Sequence, residues 1–408
     1  MSSPDASRAG HTPRPPTSRL VDEVYAPFEP MIRFFGEHIP SVRERFGDQV
    51  CDFAAGNPQE GAIPGYVETL QGWTEPRLPD WYAYKMSEPD AQAVVANMLR
   101  DYLGIPFEPD DIALTNASIA AIAVALRTIC EPGDEVIIIS PPHFLYPPLI
   151  LAAGATPVRV RIDMDTFDLD LDALEAAITN RTRAVIVNTP HNPTGKIFPP
   201  ETLQRLAAIL TEASERHQPI YLLSDEAYHK LLFDDRTFTS PAAHYERTMI
   251  VYSYGKVLLA PAQRIGYIAI SPTMAEPERE RLRFGLTVMQ VVQGWAFPNA
   301  LLMFALGDLD RLSIDMKVVQ ARRDRMVDAL RGMGYELHVP EATFYLMPHS
   351  PDPDDPTFCA RLGDDGVIAM PGSFMDLPGY FRLSLTATDD MVERSLPAFE
   401  RAIASRRG

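Results

Sequence analysis

The chain has 408 residues, of which 46% are hydrophobic and 23% charged, a globular composition that argues against overall disorder. This length predicts two or three domains. Acidic residues outnumber basic residues by 55 to 37, and the formal net charge of -18 disfavours nucleic acid and anionic membrane surfaces as partners.

The first 20 residues are rich in Pro, Ser, Thr and Arg and contain no hydrophobic segment of the kind found in signal peptides. We predict a disordered tail at 1–20. No run of 18 apolar residues occurs, so we expect no transmembrane helix. The three cysteines Cys51, Cys130 and Cys359 are too widely spaced for a disulfide framework or a zinc pairing, and we expect no metal site. These features predict a cytoplasmic protein.

Short β-branched runs alternate with segments of helical apolar spacing from about residue 110 to residue 270. The runs predicted as strands are 112–115, 135–140, 157–162, 183–188, 220–224, 249–254 and 265–270. The segments predicted as helices include 120–129, 171–178 and 201–215. This alternation predicts an open α/β sheet with helices on both faces, where ligands lie at the carboxyl ends of strands.

The pattern changes after about residue 307. A predicted helix at 312–333 is followed by predicted strands at 336–338, 343–347, 367–370 and 380–385 and a last helix at 390–404. This order is typical of a smaller α+β domain. The domain boundaries that we expect are an N-terminal segment of the small domain at 21–50, a large domain at 51–306 and a small domain at 307–408.

Lysine is scarce, and Lys256 is singled out among the five lysines by its position directly after the run 249–254. An amine at the carboxyl end of a strand lies in a partly dry setting, where its pKa falls and its nucleophilicity rises. Taken alone, Lys256 is equally well explained as an ordinary loop lysine, and Arg264 as a solvated charge. Likewise, segment 224–228 taken alone is explained as a helix N-terminus, and segment 188–196 taken alone is explained as a Pro/Gly/Asn turn.

In this order and spacing, however, the segments resemble the class I/II aminotransferases, which are fold-type I enzymes that use pyridoxal 5'-phosphate. Segment 188–196 resembles the family's Asn-Pro-x-Asn-Pro-Thr-Gly motif, and 224–228 its Asp-Glu-x-Tyr motif. Segment 253–264 is similar to its Ser-x-x-Lys motif with an arginine eight residues on, and 381–384 to its C-terminal arginine segment. The resemblance implies a large domain with a mostly parallel seven-stranded sheet flanked by helices, and a smaller α+β domain.

The resemblance also implies roles for individual residues. Lys256 would hold pyridoxal 5'-phosphate as a Schiff base and then move the α-proton as a general base. Asp225 would keep the pyridinium nitrogen protonated, so that the ring acts as an electron sink. Asn192 and Tyr228 would hydrogen-bond the phenolic oxygen of the ring. Asn192 is also expected beside the substrate.

The family's phosphate and substrate sites map onto further residues. Ser253 and Arg264 would hold the phosphate, together with backbone N–H groups at a helix N-terminus formed by Ala117, Ser118 and Ile119. The family commonly has a Gly-Ala type pair there. Arg382 would bind the substrate carboxylate through its planar guanidinium. Gly56 lies where the family brings backbone close to that carboxylate.

Besides the pair Ala117 and Ser118, which replaces the family's Gly-Ala type pair, three further departures from the family pattern stand out. His143 occupies the position of the aromatic ring that stacks on the cofactor, with Phe144 as the neighbouring candidate; an imidazole can stack and can also carry protons, whereas a lone histidine is often only structural. Gly255 replaces a serine. The family's Tyr-x(3,4)-Gly pattern lacks its glycine, and Tyr84 or Tyr82 would reach the phosphate of a neighbouring subunit, which implies a homodimer with shared active sites.

The absence of an arginine from one segment bears on which amino acids the protein prefers as substrates. Relatives specific for dicarboxylates have an arginine in the region matching 290–298, and this chain has none there. We therefore expect that Asp and Glu are not the preferred substrates. Trp295, Phe297 and Tyr345 either line an apolar side-chain pocket or belong to the core.

The leading hypothesis is therefore a transfer of the amino group of an L-amino acid to a 2-oxo acid. The alternative is a pyridoxal-phosphate lyase, cyclase or oxidase of specialised metabolism, because the same residues serve these reactions and the departures at Ala117, His143 and Gly255 are compatible with them. A cofactor-binding transcriptional regulator is disfavoured, since no helix-turn-helix segment precedes residue 50 and the charge is wrong for DNA.

Overall fold

The computed structural model describes residues 16–404. Most of the predicted tail lies outside the described residues. The end of this segment is described, and it is helical and not disordered from Arg19, where the first helix begins. No helix of the described part is long and apolar enough to cross a membrane.

The strands are short and numbered in chain order: β1 (Cys51–Asp52), β2 (Ile112–Thr115), β3 (Glu135–Ser140), β4 (Thr156–Arg161), β5 (Thr182–Asn188), β6 (Tyr221–Asp225), β7 (Thr248–Ser253), β8 (Gly266–Ile270), β9 (Tyr345–Leu346), β10 (Val367–Ile368), β11 (Met370–Pro371) and β12 (Phe381–Ser384). The helices are α1 (Arg19–Arg33), α2 (Ile39–Phe46), α3 (Tyr66–Gly72), α4 (Pro89–Leu103), α5 (Ala117–Ile129), α6 (Tyr146–Ala152), α7 (Leu171–Ala177), α8 (Pro200–Arg216), α9 (Tyr254–Val257), α10 (Glu276–Val292), α11 (Ala300–Phe304), α12 (Leu306–Leu309), α13 (Met316–Met333), α14 (Asp355–Asp364) and α15 (Asp389–Ala404).

The central sheet has seven strands in the order β2-β8-β7-β6-β5-β3-β4. All neighbouring pairs from β7 to β4 are parallel, whereas β8 runs antiparallel to both β7 and β2. Every residue of β3, β6, β7 and β8 is buried, because apolar side chains cover both faces of the sheet. The predicted α/β class with a mostly parallel seven-stranded sheet is confirmed, and each predicted strand of this sheet lies within one residue of an observed one.

The C-terminal region departs from the prediction in three places. Helix α13 begins at Met316 and not at residue 312, because the side chain of Asp315 caps it by accepting from the backbone N–H of Lys317. The predicted strand at 336–338 is wrong, since only Leu337 forms an isolated bridge, to Pro348. The predicted strand at 367–370 is two strands, β10 and β11, which have different partners.

Strand pairing brings a segment near residue 51 together with the C-terminal region near residue 367. Strand β1 pairs with β10 in parallel, while β11, β12 and β9 form a separate antiparallel sheet. The hydrophobic core around this region extends continuously from Phe53 through Phe344 to Phe399. The division into domains at residues 51 and 307 stays a prediction.

Candidate active site

Polar residues end three neighbouring parallel strands of the central sheet. Asn188 ends β5, Asp225 ends β6 and Ser253 ends β7, and Asn188 is directly in register with Asp225. Parallel strands end at the same edge of a sheet, so these side chains are collected there. This edge is the candidate active site.

Asp225 is buried at this edge, with 5% of its surface exposed. Its Oδ2 accepts a hydrogen bond of 2.6 Å from the phenol of Tyr146, and its Oδ1 accepts from the backbone N–H of Ala227 at 3.2 Å. Its carbonyl oxygen accepts from Nδ2 of Asn188 at 2.8 Å. Burial raises the pKa of Asp225 to about 6, although the hydrogen bond from Tyr146 opposes that shift.

Tyr146 was not among the site residues predicted from the sequence. It begins helix α6, six positions after the end of β3, and the only signal available was this place near a strand end. The side chain is buried, and its contact with Asp225 joins segments that are 79 residues apart.

Asn192 links two other predicted site residues. Its backbone N–H donates to Oδ1 of Asn188 at 2.7 Å, which fixes the turn after β5. Its side-chain Nδ2 donates to the phenolic oxygen of Tyr228 at 3.3 Å, and its Oδ1 accepts from Nη1 of Arg382 at 3.4 Å. The structure therefore brings together three side chains that are far apart in sequence.

Arg382 is buried on β12, with 4% of its surface exposed. Its Nη2 donates to the carbonyl of Ala54 at 2.9 Å, and its guanidinium carbon lies 4.2 Å from the centre of the Tyr345 ring. Its Nε has no hydrogen-bond partner, and no ion pair to it exists within residues 16–404. A buried cation with a free donor is suited to bind an anion such as a carboxylate.

Gly56 lies where the backbone passes close to two aromatic side chains. A Cβ at this position would be 2.5 Å from Cε2 of Phe344 and 2.6 Å from the phenolic oxygen of Tyr345. Both distances are shorter than a van der Waals contact, so any larger residue requires the two rings to move. The nearby carbonyl of Ala54 accepts a hydrogen bond from Arg382, so the backbone of this segment lies beside the guanidinium.

Lys256 belongs to the short helix α9 directly after β7. Its Nζ lies 5.7 Å from the centre of the Tyr228 ring. In the described part of the chain the amine has neither a hydrogen bond nor an ion pair. A lysine amine without a partner is available to a ligand.

His143 lies beside these residues. Its ring is stacked on Phe144, with centroids 4.7 Å apart, and its Nδ1 accepts from the backbone N–H of Leu145 at 3.3 Å. Burial lowers the pKa of His143 to about 3, and the positive charges of Lys256 and Arg382 act in the same direction. The imidazole is therefore neutral at pH 7 in this state.

The predicted phosphate site lies at the start of α5. Ala117 has a φ of 66°, and Ala117, Ser118 and Ile119 form the first turn, where backbone N–H groups and the helix dipole favour an anion. A Cβ at Gly266 would be 2.8 Å from Cα of Ala117, and Gly266 is in register with Ser253. The structure thus places Ser253 close to this turn.

Arg264 and the two alternative tyrosines, Tyr84 and Tyr82, lie apart from the other predicted site residues. Arg264 is exposed, and its Nη1 donates to the carbonyl of Pro261 at 2.6 Å. Tyr84 is 87% exposed and packs on Phe297, with ring centroids 4.9 Å apart. The phenol of Tyr82 donates to the carbonyl of Thr74. Among the described residues, none of these three side chains contacts another predicted site residue through a hydrogen bond.

These side chains form a set of binding groups for an anionic, nitrogen-containing ligand. Lys256 offers an unpaired amine, Asp225 a buried carboxylate and Arg382 an unpaired Nε, and the first turn of α5 adds backbone N–H groups. Pyridoxal 5'-phosphate has an aldehyde, a basic ring nitrogen and a phosphate, so the set fits this cofactor. Within the described residues, no cluster of His, Cys, Asp or Glu is suited to a metal ion.

Comparison with known proteins gives the family context. The model of the family "Aminotransferase class I and II" matches residues 84–399. The aspartate/prephenate aminotransferase of Thermus thermophilus is 29% identical over 327 residues, which are 79% of this chain and 83% of the relative. A solved amino transferase of Eubacterium rectale superposes with a TM-score of 0.84 at 25% identity and covers 97% of both chains. N-succinyldiaminopimelate aminotransferase of Mycobacterium tuberculosis superposes with a TM-score of 0.78 at 26% identity, covering 89% of this chain and 95% of the other.

Proposed function

Because the chain belongs to the class I and II aminotransferase family, whose members are pyridoxal 5'-phosphate-dependent transferases, we propose that it transfers the amino group of an L-amino acid to a 2-oxo acid. In this proposal Lys256 is the attachment point of the cofactor, through a Schiff base. The observation that carries it is an unpaired lysine amine at the same sheet edge as a buried carboxylate and a buried guanidinium with a free Nε.

Asp225 is the proposed partner of the cofactor's ring nitrogen. When bound, pyridoxal 5'-phosphate supplies an electron-withdrawing ring that stabilises negative charge at the substrate Cα. A cationic N–H beside Asp225 favours the ionised carboxylate and offsets the effect of burial on its pKa. Asn192 and Tyr228, which are hydrogen-bonded to each other, are the proposed partners of the ring's phenolic oxygen.

Lys256 is also the proposed general base. Once its amine is released by the incoming amino group, it is free to take the proton from the substrate Cα and to return it elsewhere. The absence of an ion pair to Lys256 in residues 16–404 supports this role, because no carboxylate is in direct contact with the amine and it is free to approach the substrate.

Arg382 and Gly56 are proposed to bind the substrate carboxylate, with Asn192 beside them. The buried guanidinium already uses Nη2 on Ala54, and a carboxylate would satisfy Nε. A planar guanidinium holds a carboxylate in a fixed orientation, which aligns the Cα–H bond for Lys256.

The cofactor phosphate is proposed to bind at the first turn of α5, formed by Ala117, Ser118 and Ile119, with Ser253 and Arg264 as further donors. The helix N-terminus supports this assignment. Arg264 lies two positions before Gly266, whose backbone packs closely against Ala117 at the start of α5.

We propose a homodimer with shared active sites, in which Tyr84 reaches the phosphate site of the neighbouring subunit. Tyr84 is exposed in the single chain, and Phe284, Val291, Val292 and Phe297 are large apolar side chains that are also exposed. Exposed apolar surface of this extent is typical of a subunit interface. A cytoplasmic location is proposed as well, since all three cysteines are buried and free.

The relatives have names that point to acidic substrates, aspartate/prephenate and N-succinyldiaminopimelate. We nevertheless propose that Asp and Glu are not the preferred donors of this chain, because segment 290–298 carries no arginine. The side chains there that face solvent include Trp295 and Phe297, which are apolar.

A lyase, cyclase or oxidase on the same fold is the second candidate function. His143 favours it, because a neutral imidazole next to Lys256 has ring nitrogens that donate or accept hydrogen bonds, which a hydrocarbon ring cannot do. The same active-site residues would serve the shared step of proton removal from Cα.

A single half-reaction separates the two functions. The holoenzyme is mixed with one equivalent of each of a panel of L-amino acids, without a 2-oxo acid, and absorbance and products are followed. Conversion of bound pyridoxal phosphate to pyridoxamine phosphate with one equivalent of 2-oxo acid is expected. Consumption of the amino acid without net conversion of the cofactor would contradict transamination and support the second candidate.

A further inference from the structure

An apolar cleft with a volume of about 430 Å³ lies beside the candidate active site. One wall is helix α1, and the opposite wall is formed by the segment after β3, helix α6 and the turn after β11. The apolar side chains that decide its character are Phe28, Met31, Phe144, Leu151, Phe374 and Met375.

Two of these side chains also touch the site. Phe144 is stacked on His143 with an angle of 19° between the rings, and Sδ of Met375 lies 3.5 Å from Nη1 of Arg382. Phe28 of α1 meets Phe144 edge-on, with centroids 6.1 Å apart. The cleft therefore adjoins the place where the substrate carboxylate is proposed to bind, because Met375 and Phe144 each line the cleft and contact a site residue.

The charged residues of the cleft disfavour an acidic ligand. They are Glu23, Arg159 and Asp376. Nε of Arg159 donates to Oδ2 of Asp376 at 2.8 Å, so this cation is already neutralised by its partner. The remaining charge is the carboxylate of Glu23, which repels a second carboxylate.

We propose that this cleft receives the side chain of the amino-acid substrate and that the substrate side chain is large, apolar and uncharged. A carboxylate on Arg382 places the substrate next to Met375, which also lines the cleft. Clefts of this size and lining are typical of apolar ligands. This inference rests on the proposed function, because it takes Arg382 as the carboxylate site.

Binding of carboxylic acids that lack an amino group tests the cleft without catalysis. The dissociation constants of propionate, 3-phenylpropionate and succinate for the holoenzyme are measured by calorimetry. Each buried methylene contributes about fourfold in affinity, so 3-phenylpropionate is expected to bind on the order of 100-fold tighter than propionate. Succinate is expected to bind no tighter than propionate. Equal affinities for all three, or a preference for succinate, would overturn the proposal.

A charge placed in the cleft provides the matched comparison. Val24 lines the cleft from α1, whereas Ile32 is exposed on the same helix and does not line it. Val24→Glu is expected to weaken 3-phenylpropionate about 10-fold or more and to leave propionate unchanged, and Ile32→Glu is expected to change neither. Phe28→Ala, which adds no charge, is expected to weaken 3-phenylpropionate several-fold. If Val24→Glu lost affinity for propionate and for 3-phenylpropionate by the same factor, α1 would close over the site as a whole, and the proposal would be wrong.

The half-reaction distinguishes this inference from the function on which it rests. With a transaminase of the proposed specificity, phenylalanine converts the bound cofactor at much lower concentrations than alanine or aspartate does. If no amino acid in the panel converts it, the proposed function fails. If alanine and aspartate convert it as readily as phenylalanine, the function stands and the assignment of the cleft fails.

Discussion

The phenol of Tyr146 donates a hydrogen bond of 2.6 Å to Oδ2 of Asp225, and both side chains are buried. Asp225 is the proposed partner of the cofactor's ring nitrogen, so Tyr146 acts on the cofactor through it. Because a donor favours the ionised carboxylate, this contact lowers the pKa of Asp225 against the opposite effect of burial.

Removing that donor is expected to weaken cofactor binding. In Tyr146→Phe the pKa of Asp225 rises further, and a smaller fraction of Asp225 is ionised to pair with the ring nitrogen. A hydrogen bond to a charged group contributes about 1.5–3 kcal/mol, so a loss of about 10-fold or more in affinity for pyridoxal 5'-phosphate is expected. Equilibrium dialysis of the apoprotein against pyridoxal 5'-phosphate measures this affinity.

Tyr335→Phe is the matched control, because Tyr335 is also buried and donates one hydrogen bond, to the carbonyl of Phe399. Its cofactor affinity should equal that of the wild type. If both variants lose affinity alike, Tyr146 acts only through general stability.

The raised pKa of Asp225 has a consequence for the stability of the apoprotein. Its folded pKa is about 6 and its ordinary value 3.8, so the folded state holds the proton more tightly. The stability this contributes is complete below pH 4 and is lost as pH rises through 6. Asp225→Asn cannot ionise, so at pH 8 the apoprotein variant is expected to be more stable than the wild type, by up to about 3 kcal/mol.

Urea unfolding of both apoproteins at pH 5, 6.5 and 8 checks this expectation. The difference in free energy of unfolding should grow from pH 5 to pH 6.5 and then level off, because both states have lost the proton above the folded pKa. Asp110→Asn, which changes an exposed carboxylate, serves as the control and should show no such growth. A wild-type apoprotein that is the more stable one at pH 8 would show that Asp225 is ionised there without penalty.

Lys256→Ala is expected to abolish covalent attachment of the cofactor, because no other amine is available at this sheet edge in the proposed site. After borohydride reduction of the holoenzyme, mass spectrometry should find the added cofactor mass on the wild type and not on this variant. Lys196→Ala is the control, since Nζ of Lys196 lies 3.6 Å from Glu341 and should not carry the cofactor. Cofactor mass retained in Lys256→Ala would move the attachment to another lysine.

The central sheet was predictable because its strands are covered on both faces. Such strands appear in the sequence as short, nearly continuous apolar runs, as in 135–140 and 249–254. The small strands of the C-terminal region carry no such signal. Strands β10 and β11 each have two residues, and pairing with distant segments decides where each begins and ends.

The location of Asn192, Asp225 and Lys256 at one sheet edge was predictable, because each lies at or shortly after the end of a strand. Their roles stay predictions. Contacts between distant segments were not predictable, because spacing along the chain does not report them. The hydrogen bond from Tyr146 to Asp225 and the contact of Met375 with Arg382 are of this kind. The apolar cleft is built by α1, α6 and the turn after β11, so no single segment could predict it.

Arg382 is expected to control the affinity for substrate far more than that for the cofactor. Arg382→Lys keeps the positive charge but removes the planar guanidinium, whose Nη1 and Nη2 donate to Asn192 and Ala54 while Nε is free. The single amine of lysine cannot bind these two groups and a carboxylate together. The dissociation constants of carboxylic acids should rise on the order of 10-fold or more, because hydrogen bonds between charged groups contribute about 1.5–3 kcal/mol each. The affinity for pyridoxal 5'-phosphate should change less than about threefold.

Arg323→Lys provides the comparison for that variant. Arg323 is equally buried, but both its Nη1 and its Nη2 donate to the carboxylate of Asp234 at 2.7 Å, so its guanidinium is already paired. This variant should lower the free energy of unfolding and leave the affinity for carboxylic acids unchanged. If Arg382→Lys instead lost cofactor and carboxylate affinity in equal measure, Arg382 would hold the fold of the site together and would not bind the substrate.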